Sequence, residues 1–280
     1  MNSRLVKNRV LAIAAVGKLI SFRCLLASAL LLICQACLAT NIRVAAQIGS
    51  EPKFITSDGS GKIIGLCVDI MRAIEIVEPG LKFVGDQQWM PLTRIAAEMA
   101  GGLQDAACAL QHTSERDKKF LFLEPALYPV DYMLLARIDD PVVINNWSDV
   151  RNLVPKPIIL VNRGFGVAST LAEMSGIQID ASSSETRLNL EKLLAGRGRL
   201  YFHRGPGIPK MLERAGVSKK IKILPTSMLR TEFYLVLSLH VDQATVQRVR
   251  RAVQTLHQSG ELKRLYDKWN ESPRNFELTP

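Results

Sequence analysis

Apolar residues recur along the chain with two different periods, and from about residue 42 the two alternate. The run Ile42–Ile48, "IRVAAQI", is short and nearly all apolar, the mark of a buried strand. Leu66, Ile70, Ile74 and Val77 then share one face at helical spacing, and Pro79-Gly80 stops that helix. "LKFVG" (81–85) predicts a second strand. Pro91 stands at the first-turn position of a helix striped by Leu92, Ile95, Ala96 and Met99, which closes at Gly101-Gly102. "DAACAL" (105–110) predicts a third strand. The charge knot "TSERDKKF" (113–120) follows, then the apolar runs "FLFLEPALYP" and "YMLLARI".

The second half repeats the alternation. "PIILVN" (157–162) predicts a strand that runs through "RGFG" into a helix over Val167–Met174. Ser182 and Glu185 have capping-box spacing and start a helix with Leu190, Leu193 and Leu194 on one side. "RLYFH", the short helix "PKMLERAG", "KIKIL" and "FYLVLSL" come next. Two final helices are striped by Val246, Val249, Val253 and Leu256, and, past Gly260, by Leu262, Leu265, Tyr266 and Trp269. Two sets of alternating strands and helices argue for an α/β chain of two lobes, each built on a mostly parallel sheet flanked by helices. In such sheets ligands collect beyond the carboxyl ends of the strands, where the strand-to-helix loops meet. The charge knot is one of these loops.

Charge and cysteine content change the picture at the amino end. The first 39 residues carry Arg4, Lys7, Arg9, Lys18 and Arg23 and no acidic residue, then the apolar "LLASALLLI" and a small-residue exit at Ala39. This is the order of a secretory signal, with an apolar core too short to span a bilayer. Cys37 would be the acylated residue of a lipoprotein, but Gln35 and Cys34 do not suit a lipid-attachment box. We expect export to the periplasm. Without residues 1–39 the chain keeps 31 of its 36 basic residues against 26 acidic ones, a net charge of +5. That modest excess, with no basic run interleaved with aromatics, excludes a nucleic-acid partner and suits an anionic ligand. Cys24, Cys34 and Cys37 lie in the leader. Cys67 and Cys108 could pair in an oxidising compartment, and the expectation here is two small buried thiols. His112, His203, His240 and His257 are scattered, so no metal or other cofactor is expected.

In the charge knot, Arg116 presents a rigid fork of donors matched to a carboxylate, and Thr113 can accept from the backbone that opens the turn. By composition alone the knot is a solvated turn in which Arg116 pairs with Glu115 or Asp117. Gly164, Phe165 and Gly166 stand between a strand and a helix and can offer N–H groups to an anion. Trp89 suits either stacking on a ligand or core packing. Asp69 reads as a helix-start cap and His203 as a surface histidine.

Five segments in order resemble family 3 extracellular solute-binding proteins, the receptors of ATP-driven amino-acid importers. "GGLQDAACALQHTSERDKKFLFLEPALYP" is similar to the family's G-x-x-D-A…T-x-x-R…F-x-F pattern. "EPKF…DGSGKIIGLCVDI" resembles Y-P-P-F…G-F-D-V-D-L. "WSDVRNLVPKPIILVNRGFG", "LLAGRGRLYFHR" and "SGELKRLYDKW" resemble the remaining segments. The resemblance implies a two-lobed periplasmic-binding-protein clamshell of type II. It has a discontinuous first lobe (40–130 plus 230–272), a second lobe (131–229) and a tail (273–280), with crossings near Tyr128–Asp131 and Thr226–Arg230. It implies that Arg116 holds a ligand carboxylate and that the site includes Ala109, Gln111, Thr113, Phe54, Glu51 and Arg204 beside the residues named above. No catalytic residue is implied. Four of these positions depart from the amino-acid-binding pattern. Glu51 replaces an aromatic, Ala109 and Gln111 replace small hydroxyls, and Arg204 stands where an acidic residue commonly meets the α-ammonium. A dicarboxylate or other acidic metabolite is therefore an option beside an amino acid.

The function implied is a non-catalytic monomeric receptor that captures a small carboxylated solute and delivers it to an inner-membrane ABC permease. Two alternatives share the architecture. One is an exported cyclohexadienyl dehydratase, for which Glu51 and Glu173 are the candidate general acids. The other is the ligand-sensing partner of a signalling receptor.

Overall fold

The apolar stripes become the buried faces of helices. The structure, a computed structural model, describes residues 39–57 and 59–270; the expected leader, apart from Ala39, and the expected tail at 273–280 lie outside the described residues. The strands are β1 (Thr40–Arg43), β2 (Ala46–Gln47), β3 (Ile55–Thr56), β4 (Ile63–Ile64), β5 (Leu81–Val84), β6 (Trp89–Met90), β7 (Ala106–Gln111), β8 (Phe120–Arg137), β9 (Ile158–Leu160), β10 (Gln178–Asp180), β11 (Leu200–Arg204) and β12 (Ile221–Ser238). The helices are α1 (Leu66–Val77), α2 (Leu92–Ala100), α3 (Ser114–Asp117), α4 (Trp147–Asn152), α5 (Gly166–Ala172), α6 (Thr186–Leu194), α7 (Ile208–Arg214), α8 (Gln243–Gln258) and α9 (Glu261–Asn270). On α1, Leu66, Ile70 and Ile74 of the stripe are buried and its terminal member Val77 is exposed; on α8, Val246, Val249, Val253 and Leu256 are all buried.

The longest sheet has the order β10-β9-β11-β8-β12-β7. β9 is parallel to both of its neighbours, as expected of strands returned by crossover helices. Antiparallel pairing enters with β8 and β12, which pair with each other from Arg137↔Ile221 to Phe120↔Ser238. The expected crossings fall inside these two strands and lie side by side, Val130 opposite Thr231 and Asp131 opposite Arg230. They are strand rather than loop. Register shifts at Ile223/Ser227 and Ser227/Leu229 fall beside them. Ser227 Oγ donates to Asp131 at 2.8 Å. One hydrophobic cluster runs through most of the chain. Two smaller ones cover the sheet's ends, around Leu160, Leu190 and Tyr201 on one side and Ile95, Met99 and Leu110 on the other.

Three local expectations are corrected. Cys67 and Cys108 form a disulfide, with Cα atoms 5.9 Å apart, rather than two buried thiols. Distance in space, which sequence separation does not report, decides this. Asp69 does not cap α1, whose N-cap is Gly65 with no side-chain bond. Instead Asp69 accepts from Lys268 Nζ and Trp269 Nε1, both at 2.7 Å, and ties α9 to α1. α6 begins at Thr186, and the hydroxyl that bonds its entry is Ser183, accepting from Glu185 N at 3.0 Å, not Ser182.

Candidate functional site

The segment 47–53 is wound tightly by its own bonds. Ser50 Oγ donates to the Gln47 carbonyl at 2.6 Å, and Lys53 N donates to the Ser50 carbonyl at 2.8 Å. The start of α1 then fixes Lys53 from behind. Leu66 N and Cys67 N, which lack partners within the helix, donate to the carbonyls of Pro52 and Lys53, each at 3.0 Å. Close approach there requires glycine at 65, where a Cβ would lie 2.3 Å from the Lys53 oxygen and φ is +140°. The Lys53 side chain is thereby turned inward. Its ammonium donates to Gln47 Oε1 at 2.5 Å and to the Ala109 carbonyl at 3.0 Å, and stands 5.7 Å from the centre of the Phe233 ring. Ala109 has φ +62°, a left-handed backbone at a non-glycine residue just before β7 ends.

Arg116 reaches the same place from α3. Thr113 is the N-cap, and its hydroxyl accepts from Arg116 N at 3.3 Å. The guanidinium donates through Nη1 to the Gln111 carbonyl and through Nη2 to the Gly164 carbonyl, both at 2.7 Å. It therefore joins the loop after β7 to the loop after β9. A third cation comes from the end of β11. Arg204 is 3% exposed and donates to the carbonyls of Gly49 (Nη2, 2.9 Å) and Glu51 (Nε, 3.4 Å), with its guanidinium carbon 5.2 Å from the centre of the Phe165 ring. Across the sheet its strand partner is Tyr132, whose hydroxyl donates to Gln111 Oε1 at 3.3 Å.

These groups line one chamber with Leu92, Leu110 and Gly166, and none of its lining residues carries a carboxylate. Its volume, about 20 Å³, is room for roughly one water. Burial drives the Lys53 amine well below its ordinary value, and the Arg204 and Arg116 charges push it further down. Burial also lowers Arg116 from the usual guanidinium value and raises the Tyr132 phenol to about 12, the latter against the pull of the two arginines. An opening of about 420 Å³ adjoins the chamber and shares Leu92 and Phe165 with it. A larger groove, about 970 Å³, lies between α7, the start of β12 and α9. It has no buried ionisable side chain, so the chemistry points to the smaller chamber.

Residues 42–272 match the bacterial extracellular solute-binding proteins, family 3. The chain belongs to this family. No curated protein matches it. Among solved structures, the substrate-binding protein of an amino acid ABC transporter is similar at 19% identity and TM-score 0.66, covering 83% of this chain and 100% of its own. A histidine kinase sensor domain with similarity to periplasmic binding proteins gives 17% and 0.67, covering 82% and 95%. The ancestral amino acid-binding protein AncCDT-1, a precursor of cyclohexadienyl dehydratase, gives 17% and 0.65, covering 82% and 95%. These likenesses establish the periplasmic-binding-protein fold. The family is extracellular, and among the described residues no helix is long and apolar enough to cross a membrane.

Against the positions that the family pattern suggests, the structure gathers Ala109, Gln111, Arg116, Phe165, Gly166 and Arg204 around the chamber. Thr113 and Gly164 support it from behind, through the N-cap and the carbonyl that receives Arg116. The loop at 164–166 offers Arg116 that carbonyl; the Phe165 N–H is used by the Asn162 carbonyl at 3.2 Å. Three residues stand elsewhere. Phe54 is a core side chain, 2% exposed, and Trp89 is 40% exposed on β6, away from the chamber. Glu51 gives its carbonyl to Arg204, while its carboxylate sits on the rim, 3.9 Å from Arg214.

His203 is a buried residue, not a surface one, because β11 is covered on both faces. Its Nδ1 pairs with the Arg204 carbonyl at 3.0 Å and its Nε2 has no partner among the described residues. Burial first, and the Arg204 charge second, push it down to about 3. Lys53, Gln47, Tyr132 and Phe233 complete the lining. In the sequence, the one signal of Lys53 is a charged residue held between Pro52 and Phe54.

Proposed function

We propose that the protein is an exported receptor that takes a small carboxylated solute, an amino acid or a related organic acid, into this chamber and delivers it to an ABC-type permease. The observation that carries the reading is the position of Arg116. Its guanidinium faces the chamber and is engaged by two main-chain carbonyls with no carboxylate in contact, so a ligand carboxylate is the partner that fits its fork. The family and the transporter-associated neighbour support the delivery role. The disulfide suits an oxidising compartment and so supports export through the basic leader at 1–39 to the periplasm.

In this reading the lobes divide at 40–130 plus 230–272 and 131–229. Arg116 and Arg204 each reach from one lobe to the other and hold the clamshell shut. Opening exchanges those carbonyl bonds for ligand bonds, and closure over the ligand is the state the permease recognises. The dehydratase reading is less well supported, since Glu51 faces Arg214 at the rim and Glu173 is exposed at the end of α5.

The test is calorimetric titration of the purified protein with a panel of amino acids and organic acids, repeated with Arg116→Ala. We expect one class of acid to bind and the variant to lose about 10- to 100-fold or more in affinity, the worth of a charge-assisted bidentate pair. Unchanged affinity in the variant would remove Arg116 from the site. Formation of phenylpyruvate from prephenate would replace the receptor reading with the enzymatic one.

A further inference from the structure

We propose that the ligand is a small dianion without an ammonium group, of the dicarboxylate class, gripped at one end by Arg116 and at the other by Lys53 together with Arg204. The proposal rests on the reading of the chamber as a solute site and narrows it. A buried cation is normally paired with an anion, because desolvation is costly and a neutral oxygen offsets only part of it. Here three cations face one chamber, and all their partners there are carbonyl or amide oxygens. The chamber therefore lacks negative charge. A dianion supplies it, whereas a zwitterionic amino acid brings no net charge and adds a fourth cationic group.

The two side-chain amide oxygens of the chamber, where an α-ammonium would bond, each already accept one bond. Gln47 Oε1 accepts from Lys53, and Gln111 Oε1 accepts from Tyr132. Lys53 is the distinguishing group. It is 2% exposed and faces Gln47 from β2, Ala109 from β7 and the Phe233 ring from β12, with Arg116, Arg204 and Tyr132 lining the same chamber. No anion stands among these neighbours. A bound carboxylate supplies the negative charge that these neighbours lack and offsets the cost of burying this amine.

The test uses matched pairs that differ by the ammonium group, succinate against L-aspartate and glutarate against L-glutamate, titrated calorimetrically into the purified protein. We expect the diacid of at least one pair to bind 10-fold or more tighter than its amino acid. Lys53→Met, checked for folding by circular dichroism, should lower the diacid affinity by about 100-fold, the scale of a hydrogen bond to a charged group. If that variant does not fold, the wild type decides. An amino acid that binds tighter than its diacid counterpart, or a folded Lys53→Met with unchanged diacid affinity, overturns the proposal and leaves the receptor reading standing. Affinity for neither diacids nor α-amino acids overturns both.

Discussion

Replacing Cys67 and Cys108 together by alanine should cost the protein much of its thermal margin. The bridge closes a loop of 41 residues, and the chain-entropy relation for a loop of that length gives about 4 kcal/mol lost from the constraint on the unfolded chain. For a folded region of this size each kcal/mol moves the melting temperature by about 2–4 °C, so the double variant should melt about 8–16 °C lower. Circular-dichroism melts of the wild type, the reduced wild type and the variant measure this. Mass spectrometry after alkylation of the folded protein should find the Cys67 and Cys108 peptides unmodified. A shift below about 3 °C, or alkylation of both thiols before unfolding, refutes the reasoning. The bridge also flanks Lys53: Cys67 N holds the Lys53 carbonyl, and Cys108 precedes Ala109, whose carbonyl receives the Lys53 ammonium. Ligand affinity should therefore fall in the variant at temperatures where it remains folded.

Three further outcomes follow from named contacts. His203 sits near 3 when folded against an ordinary 6.5, so in that interval the unfolded chain binds a proton that the folded chain refuses. Stability is then full above 6.5 and falls as pH drops. Urea midpoints should show roughly 2 kcal/mol lost between pH 6.5 and pH 5, and His203→Gln should flatten that decline; an unchanged slope would mean His203 is protonated in the fold. Gly166→Ala places a Cβ 2.9 Å from Thr113 Cγ2 and 3.0 Å from Gln111 Oε1 across the chamber, so it should favour the open form. We expect a larger radius of gyration by small-angle scattering and weaker ligand binding at nearly unchanged melting temperature. Asp69→Ala removes the acceptor for Lys268 and Trp269 and should cost about 1–3 kcal/mol, with hydrogen exchange faster over 261–270 than elsewhere.

The helices were legible because their stripes have a period that only one geometry satisfies: Leu66, Ile70 and Ile74, or Val249, Val253 and Leu256, have no other way to share a face. Arg116 was legible through the spacing of the turn around it. Lys53 was not, because a lysine is among the residues least often buried, and nothing in "EPKF" states that Gly65 and the start of α1 will turn it inward. His203 was misread for a related reason. All five residues of β11 are buried, so the strand shows no alternation that would assign its histidine a side. The disulfide was one of two readings, and the fold alone decides between them. Each of these features depends on which segments meet in space, and local pattern carries no record of that.

Arg116 and Arg204 close onto the peptide oxygens of Gln111, Gly164, Gly49 and Glu51. A peptide oxygen persists whatever side chain the codon specifies. Of the four, only Gln111 lines the chamber, so a replacement there changes the polarity of the chamber without deleting the oxygen that receives Arg116. In the proposed reading, the polarity of the chamber at Gln111 is thus separable from the contact that Arg116 makes there. On that reading, a point mutation at Gln111 alters what the chamber accepts while the bond from Arg116 to the peptide oxygen is inherited unchanged.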